Sequence, residues 1–175
     1  MSAGAFSDAL CAQASADDRA GRMELYGWLV GSWDLDVTRF QADGAVIRRK
    51  GEWHFSWVLE GRAIQDVWIV PPRGARAGDA AANRNSYGST LRVYDPQIDA
   101  WRIQWTDPVT LNFLTMIGRR HGDDIVQIGT GPDGVHHRWS FRDIAHERFH
   151  WRGEVSGDDG ATWRTEVAFD CRRVA

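Results

Sequence analysis

The feature that most constrains this chain is a run of ten short segments, beginning just after residue 30, in which side-chain character alternates residue by residue. They span residues 33–40, 45–59, 62–70, 87–94, 100–106, 111–118, 124–129, 136–143, 148–156 and 162–173. The joints carry turn chemistry: Asp43-Gly44, Glu60-Gly61, Asp95-Pro96, His121-Gly122, Pro132-Asp133-Gly134 and Asp158-Asp159-Gly160. A period of two puts successive side chains on opposite faces, so each segment reads as a half-buried strand. Ten strands in succession, with tight turns and no crossover helices, predict an all-β fold. The architecture expected is an antiparallel up-and-down β-barrel, because closure removes the exposed edges. Ahead of them, Leu10, Ala14, Met23, Leu25, Trp28 and Leu29 recur loosely at helical spacing. Residues 1–30 are therefore read as a short N-terminal helical segment and 31–175 as the barrel, a single domain overall.

Ten tryptophans in 175 residues give that barrel an unusual interior. A two-residue loop at Glu60-Gly61 sets Leu59 opposite Arg62, and counting in pairs sets Trp57 opposite Ile64, Phe55 opposite Asp66 and Trp53 opposite Trp68. One face then carries Trp53, Phe55, Trp57, Leu59, Arg62, Ile64, Asp66 and Trp68, and the other Glu52, His54, Ser56, Val58, Ala63, Gln65, Val67 and Ile69. Trp101, Ile103 and Trp105, and again His137, Trp139 and Phe141, repeat the aromatic face, with Trp151 on a later strand. This aromatic face is expected inside, either as an aromatic core or as the wall of a cavity for a flat apolar ligand.

The few polar residues on that face are informative, since an unpartnered buried charge costs several kcal/mol. Arg62, Asp66 and His137 are expected there, with Thr115 and Thr165 as further candidates and Tyr87 and Tyr94 close by. They form either a structural ion-pair network or a set of anchors in which Arg62 holds a carboxylate or phenolate and Asp66 or His137 orients a hydroxyl or moves a proton. His54 points outward in this register. Should the register slip, Glu52 and His54 become the acid–base pair. Residues 71–86, rich in Ala, Gly, Asn and Arg, are too long for a hairpin and read as a surface insertion or a lid over the barrel mouth.

Composition excludes several classes. A formal net charge of -3 with interspersed signs offers no basic stripe for nucleic acid and no polybasic tract for a membrane. The N-terminus lacks the apolar run of a signal peptide, and no stretch reaches transmembrane length. Two cysteines far apart, Cys11 and Cys171, suit a reducing, cytoplasmic setting better than a disulfide framework.

Gly31-Ser32-Trp33, opening the first strand after a helical stretch, resembles the G-x-W pattern of lipocalins and other calycins. In those barrels the Trp closes one end under an Arg from the last strand, which implies Arg172 or Arg173 here. The segments GEWHFSWVLEGRAIQDVWIVP, TLRVYDPQIDAWRIQW, RWSF and FHWRGEVSGDDGATW resemble an uncharacterised bacterial family of lipocalin-like β-barrel proteins, over nearly everything from Leu25 to Arg173. The chain departs from it at Asp107, where Asn is usual, and in the insertion at 71–86. The resemblance implies a barrel with a ligand cavity and carries no activity with it.

Two further motifs match by pattern. Ser156-Gly157-Asp158-Asp159-Gly160-Ala161-Thr162-Trp163 fits the S-x-D-x-G-x-T-W pattern of an Asp-box hairpin, whose logic is turn stabilisation rather than calcium binding. His146-Glu147-Arg148-Phe149-His150 fits H-E-x-x-H, yet zinc needs both histidines on one helical face and this stretch alternates as a turn and a strand. His136 and His137, adjacent on a strand, face opposite ways. No metal site is expected.

The function expected is binding of a small hydrophobic, aromatic ligand by Trp53, Phe55, Trp57, Arg62, Asp66, Trp68, Trp101, Trp105, Trp139 and Trp151. The alternative is a cofactor-free isomerase, cyclase or lyase with Asp66, His137 and Arg62 as catalytic residues. No cofactor is expected; haem would require His137 as its inward axial ligand. The partner is a small molecule, with a homodimer left open.

Overall fold

The computed structural model describes residues 3–76 and 85–174. Ten strands form a closed antiparallel barrel: β2 (Gly31–Phe40), β3 (Val46–Val58), β4 (Ala63–Val70), β5 (Ser86–Asp95), β6 (Ala100–Asp107), β7 (Asn112–His121), β8 (Asp124–Thr130), β9 (His136–Ala145), β10 (Arg148–Ser156) and β11 (Arg164–Arg173). Each pairs with its chain neighbours, and β11 closes on β2. The ten expected strands all form, with ends shifted by a few residues. The N-terminal stretch adds helices α1 (Ala3–Leu10) and α2 (Ala20–Gly27), and a two-residue strand β1 (Cys11–Ala12) on β3 that the sequence did not announce.

The Glu60-Gly61 turn explains why the register counted from it holds. The turn spans four residues, Leu59 to Arg62, rather than the expected two, with positive φ at Leu59, Glu60 and Gly61 (53°, 57° and 75°) and the last rung at Val58–Ala63. Four, like two, is even, so the parity of both strands is kept. Trp57 accordingly faces Ile64, Phe55 faces Asp66 and Trp53 faces Trp68. A bulge at Gly153/Glu154 shifts the pairing with β11, so that Glu154 lies opposite Thr165.

The interior is filled by rings, and small inward residues make room for them. A Cβ on Gly88 would lie 2.2 Å from Cη2 of Trp105, and one on Gly118 2.4 Å from the Tyr26 hydroxyl. Helix α2 plugs the end of the barrel from which β2 starts. Its Met23 and Tyr26, and Leu29 just beyond, are buried, with the Tyr26 ring edge-on to Trp101 at 4.9 Å. Trp33 Nε1 donates to Leu29 O at 2.8 Å. The Arg173 guanidinium lies 4.1 Å from the Trp33 ring centre and donates to the carbonyls of Trp28, Val30 and His146. Of the two candidate arginines, Arg173 covers the tryptophan; Arg172 points outward to Asp36. No described helix is long and apolar enough to cross a membrane.

Candidate functional site

Toward the end of the barrel opposite α2, strands β4, β6, β9 and β10 each send one indole inward, and the four form a ring. Centroid separations are 4.9 Å for Trp68–Trp105, 5.8 Å for Trp105–Trp139, 5.4 Å for Trp139–Trp151 and 5.9 Å for Trp151–Trp68. Trp53 joins this ring from the plugged side, 6.3 Å from Trp68 and 6.1 Å from Trp151. Around the mouth above stand Arg39, Ser86, Asp107 and His137. Arg39 donates to Ser86 Oγ at 3.3 Å, and burial, with Arg49 nearby, holds its pKa below the usual value. Beside the mouth the wall parts. The β7–β8 pairing begins only at Met116 opposite Gly129, leaving the start of β7 without a β8 partner. A cleft of about 540 Å³, lined by Trp105, Leu114, Thr130, Gly131 and Pro132 among others, opens there.

Below the ring lies a buried polar cluster. Asp66 on β4 is ion-paired with Arg92 on β5, both side chains fully buried, and Asp66 Oδ1 accepts the Thr90 N–H at 3.0 Å. Burial pushes the Asp66 carboxyl up, and Arg92 pulls it back. The Arg92 cation is framed by the rings of Tyr26, Phe55 and Phe141 at 5.4, 5.6 and 5.8 Å. Gln127 donates to the Tyr26 hydroxyl at 3.0 Å, and burial raises that phenol to about 12. Six buried side-chain atoms among the described residues have no hydrogen-bond partner of standard geometry: Nε1 of Trp53, Trp68 and Trp151, Nε and Nη2 of Arg92, and Oε1 of Gln127, although the Trp53 N–H lies near enough to Asp66 to lower its pKa. Five of the six are nitrogen donors, which is unusual because buried donors are normally satisfied.

The expected site residues therefore separate into groups. Asp66, Trp53, Phe55, Trp68, Trp105, Trp139 and Trp151 meet in and just below the indole ring. Trp101 and Trp57 are interior but belong to the plugged end, Trp101 against Tyr26 and Trp57 against Gly27 of α2. Arg62 is not on the inner face. It lies in the turn beyond the last rung, Val58–Ala63, 42% exposed, and pairs with Glu60 at 2.8 Å and Asp18 at 3.5 Å. Beyond that rung a long cationic side chain reaches water and two carboxylates without desolvation. Thr115 is exposed, because the inward positions of β7 are Leu114, Met116 and Gly118. Thr165 and His137 are half-buried near the mouth, where burial lowers the His137 pKa against the pull of Glu166 and Asp133. Tyr87 is exposed, and the Tyr94 hydroxyl is held by Asp99 at 2.6 Å near α2.

Arg92 escaped the sequence reading for a physical reason. On β5 the more apolar alternate set is Leu91 and Val93, so hydropathy would turn that set inward; pairing with β4, which sets Arg92 opposite Ile64 and Thr90 opposite Asp66, turns it outward. The usable signal was an inward Asp66 in need of a cation one strand away.

The other histidines lie outside the barrel. His54 bridges Ser32 (Nδ1 to Oγ, 2.9 Å) and Glu52 (Nε2 to Oε2, 3.1 Å), not Ser56. Arg73 clamps Glu52 through its backbone and guanidinium N–H groups, which holds that carboxyl down at about 2. Residues 146–150 form a turn and the start of β10 rather than a helix, and His150 pairs with Asp170. At the Ser156–Trp163 turn Asp158 accepts from Thr162 N–H and Oγ1–H, and Trp163 donates to Gly160 O, with Arg138 over its ring at 4.3 Å. Asp107 Oδ1 likewise accepts the Val109 and Thr110 N–H groups of its own turn. Cys171 is buried and Cys11 exposed, both free. Of the insertion at 71–86, a short 3₁₀ turn at Arg73–Ala75 and the buried Asn85 and Ser86 are described; a surface or lid role concerns residues that fall outside the described set.

No protein-family model matches the chain, and no curated protein does. Among solved structures, the chain is similar to the S-type phycobiliprotein lyase CPES from Guillardia theta, with TM-score 0.57 and 12% identity over 87% of this chain and 92% of that one. It is also similar to Rv2717c from M. tuberculosis, with TM-score 0.59 and 11% identity over 92% and 99% of the two chains. At these identities the likeness shows the fold, a lipocalin-like antiparallel barrel.

Proposed function

We propose that the protein binds a small, flat, hydrophobic molecule against the indoles of Trp68, Trp105, Trp139 and Trp151, reached through the mouth or the cleft beside Trp105. The observation that carries this reading is the pair of buried indole N–H groups, on Trp68 and Trp151, that have no partner in the half of the barrel nearer solvent. An indole with an unpaired donor is fit to receive a ligand's carbonyl or oxyanion while its face stacks on the ligand ring. Each ring contact supplies roughly 0.5 to 1.5 kcal/mol beyond burial, so four around one ligand support micromolar binding.

The test is a panel of aromatic acids, phenols, quinones and haem, titrated while tryptophan emission is followed, with the compounds then analysed by mass spectrometry. Saturable quenching with unchanged compound supports binding. Quenching with a new mass or a separated isomer supports instead a cofactor-free isomerase, cyclase or lyase. In that reading the proton falls to His137, whose imidazole burial biases toward its neutral form, since Asp66 is held by Arg92 and Thr90. No response to any compound sinks both readings. No cofactor is part of the binding proposal; haem would take His137 as its axial ligand, and a Soret band lost in His137→Ala would reveal it. The Ser156–Trp163 turn is read as an Asp-box with a structural role.

A further inference from the structure

We propose that Arg92 is the receptor for an anionic, carboxylate-type group on the ligand, so that the molecule bound is an acid inserted head-first through the indole ring. The inference rests on the binding reading above and specifies the chemistry of what is bound.

Arg92 has five N–H donors, and Asp66 engages only its Nη1 side. The two nitrogens without partners, Nε and Nη2, form the edge of the guanidinium that presents two parallel donors, the geometry a carboxylate matches with both oxygens. That edge is fully buried, where an unmade hydrogen bond from a charged group is most costly. The surroundings share the same deficit. Trp53, in contact with Phe55 and Phe141 beside Arg92, acts on Asp66 through its indole N–H, whereas those of Trp68 and Trp151 above it have no partner. With Trp53 left to Asp66, four unmatched donor atoms, on Arg92, Trp68 and Trp151, stand against one unmatched acceptor, Oε1 of Gln127. The complement of such a lining is a group rich in acceptors and bearing negative charge. The existing carboxylate does not supply it, because Asp66 is committed to Arg92 Nη1, to the Thr90 N–H, and to nearby Trp53, which acts on it without a hydrogen bond of standard geometry.

The ring contacts run as a packed chain from the mouth to Arg92, which the ligand must displace, Phe169 included. Trp68 and Trp151 stand between the mouth and Trp53, and Trp53 touches the rings that frame Arg92. No hydrogen bond anchors the N–H groups of Trp68 or Trp151 in place, so their rotation is opposed by packing alone. An aromatic or conjugated acid is the ligand class whose slender head passes such a ring and whose body then stacks on it.

The experiment compares 2-naphthoate with its methyl ester by equilibrium dialysis, against the wild-type chain and the double variant Asp66→Asn/Arg92→Met. The double variant removes both charges of the pair and leaves no lone buried ion. Near-ultraviolet circular dichroism checks that its aromatic packing survives. The expected result is at least tenfold tighter binding of the acid by the wild type, with the acid-to-ester ratio falling to within about twofold in the double variant. Wild-type binding of the ester as tight as that of the acid overturns the receptor and leaves the aromatic site standing. A preference for the acid that persists in the double variant also overturns it and moves the anion to the mouth, where Arg39 is the candidate. Binding of neither compound counts against the aromatic site itself, and the receptor falls with it.

Discussion

The two ends of this barrel use the same side chain in opposite ways. At the plugged end Trp28 and Trp33 each donate to a backbone carbonyl, Leu25 O and Leu29 O, both at 2.8 Å, and Arg173 ties Trp33 to three more carbonyls. In the other half Trp68 and Trp151 are as well buried, yet their N–H groups have no partner. The indole donors Trp28 and Trp33 of the plugged end are satisfied, whereas Trp68 and Trp151 in the mouth half keep unmet donors, the difference on which the binding proposal rests. Asp66 and Arg92 sit at the boundary, buried as deeply as any group in the plug and still short of acceptors.

The largest effect that tests this division is at the boundary. Arg92→Met alone strands the buried Asp66 and should lower stability by about 3–5 kcal/mol in a urea titration, with much of the loss restored by adding Asp66→Asn. A single variant close to wild type would mean that Asp66 is neutral and the pair unimportant. Next, Arg173→Met removes the clasp of the plug and should cost about 2–3 kcal/mol, through hydrogen bonds from a charged donor and the stacked cation, with ligand binding in the mouth half little changed. Loss of binding at unchanged stability would erase the distinction between the ends.

The comparison is sharpened by one substitution made at both ends. Trp33→Phe and Trp68→Phe delete the same atoms, but only the first breaks a hydrogen bond, so it should be more destabilising by about 1 kcal/mol or more. Equal losses would show that the Trp68 N–H is paired in solution. The smallest effect lies outside the barrel. Glu52 has its pKa lowered from 4.5 to about 2 in the folded chain, so its contribution is present above about pH 4.5 and is lost as the pH falls toward 2. Glu52→Gln should remove that part of the acid limb of the stability profile while leaving the mouth half unaffected. An unchanged acid limb would mean that the Arg73 clamp is not formed in solution.

Much of the barrel was legible because its signals are local. Alternation, turn glycines and the Glu60-Gly61 hairpin fix strand ends and parity within a few residues of themselves, and β3 and β4 register as counted. The candidate site was half legible. Trp53, Phe55, Asp66 and Trp68 follow from that one hairpin, whereas Arg62 was misplaced because parity does not say where the barrel wall stops. Thr115 was misplaced and Arg92 missed, on strands whose faces are set by their neighbours rather than by their own hydropathy.

The sequence by itself determined that this chain makes ten antiparallel strands with an aromatic face, since a strand's period and a turn's φ are properties of a few adjacent residues. Only the tertiary structure decided that Arg173 rather than Arg172 seals the plug, that Arg92 turns inward to meet Asp66, and that the indole N–H groups of Trp68 and Trp151 and one edge of the Arg92 guanidinium lack partners. Each of those depends on which strand lies alongside which, and on distances across the barrel between residues far apart in the chain.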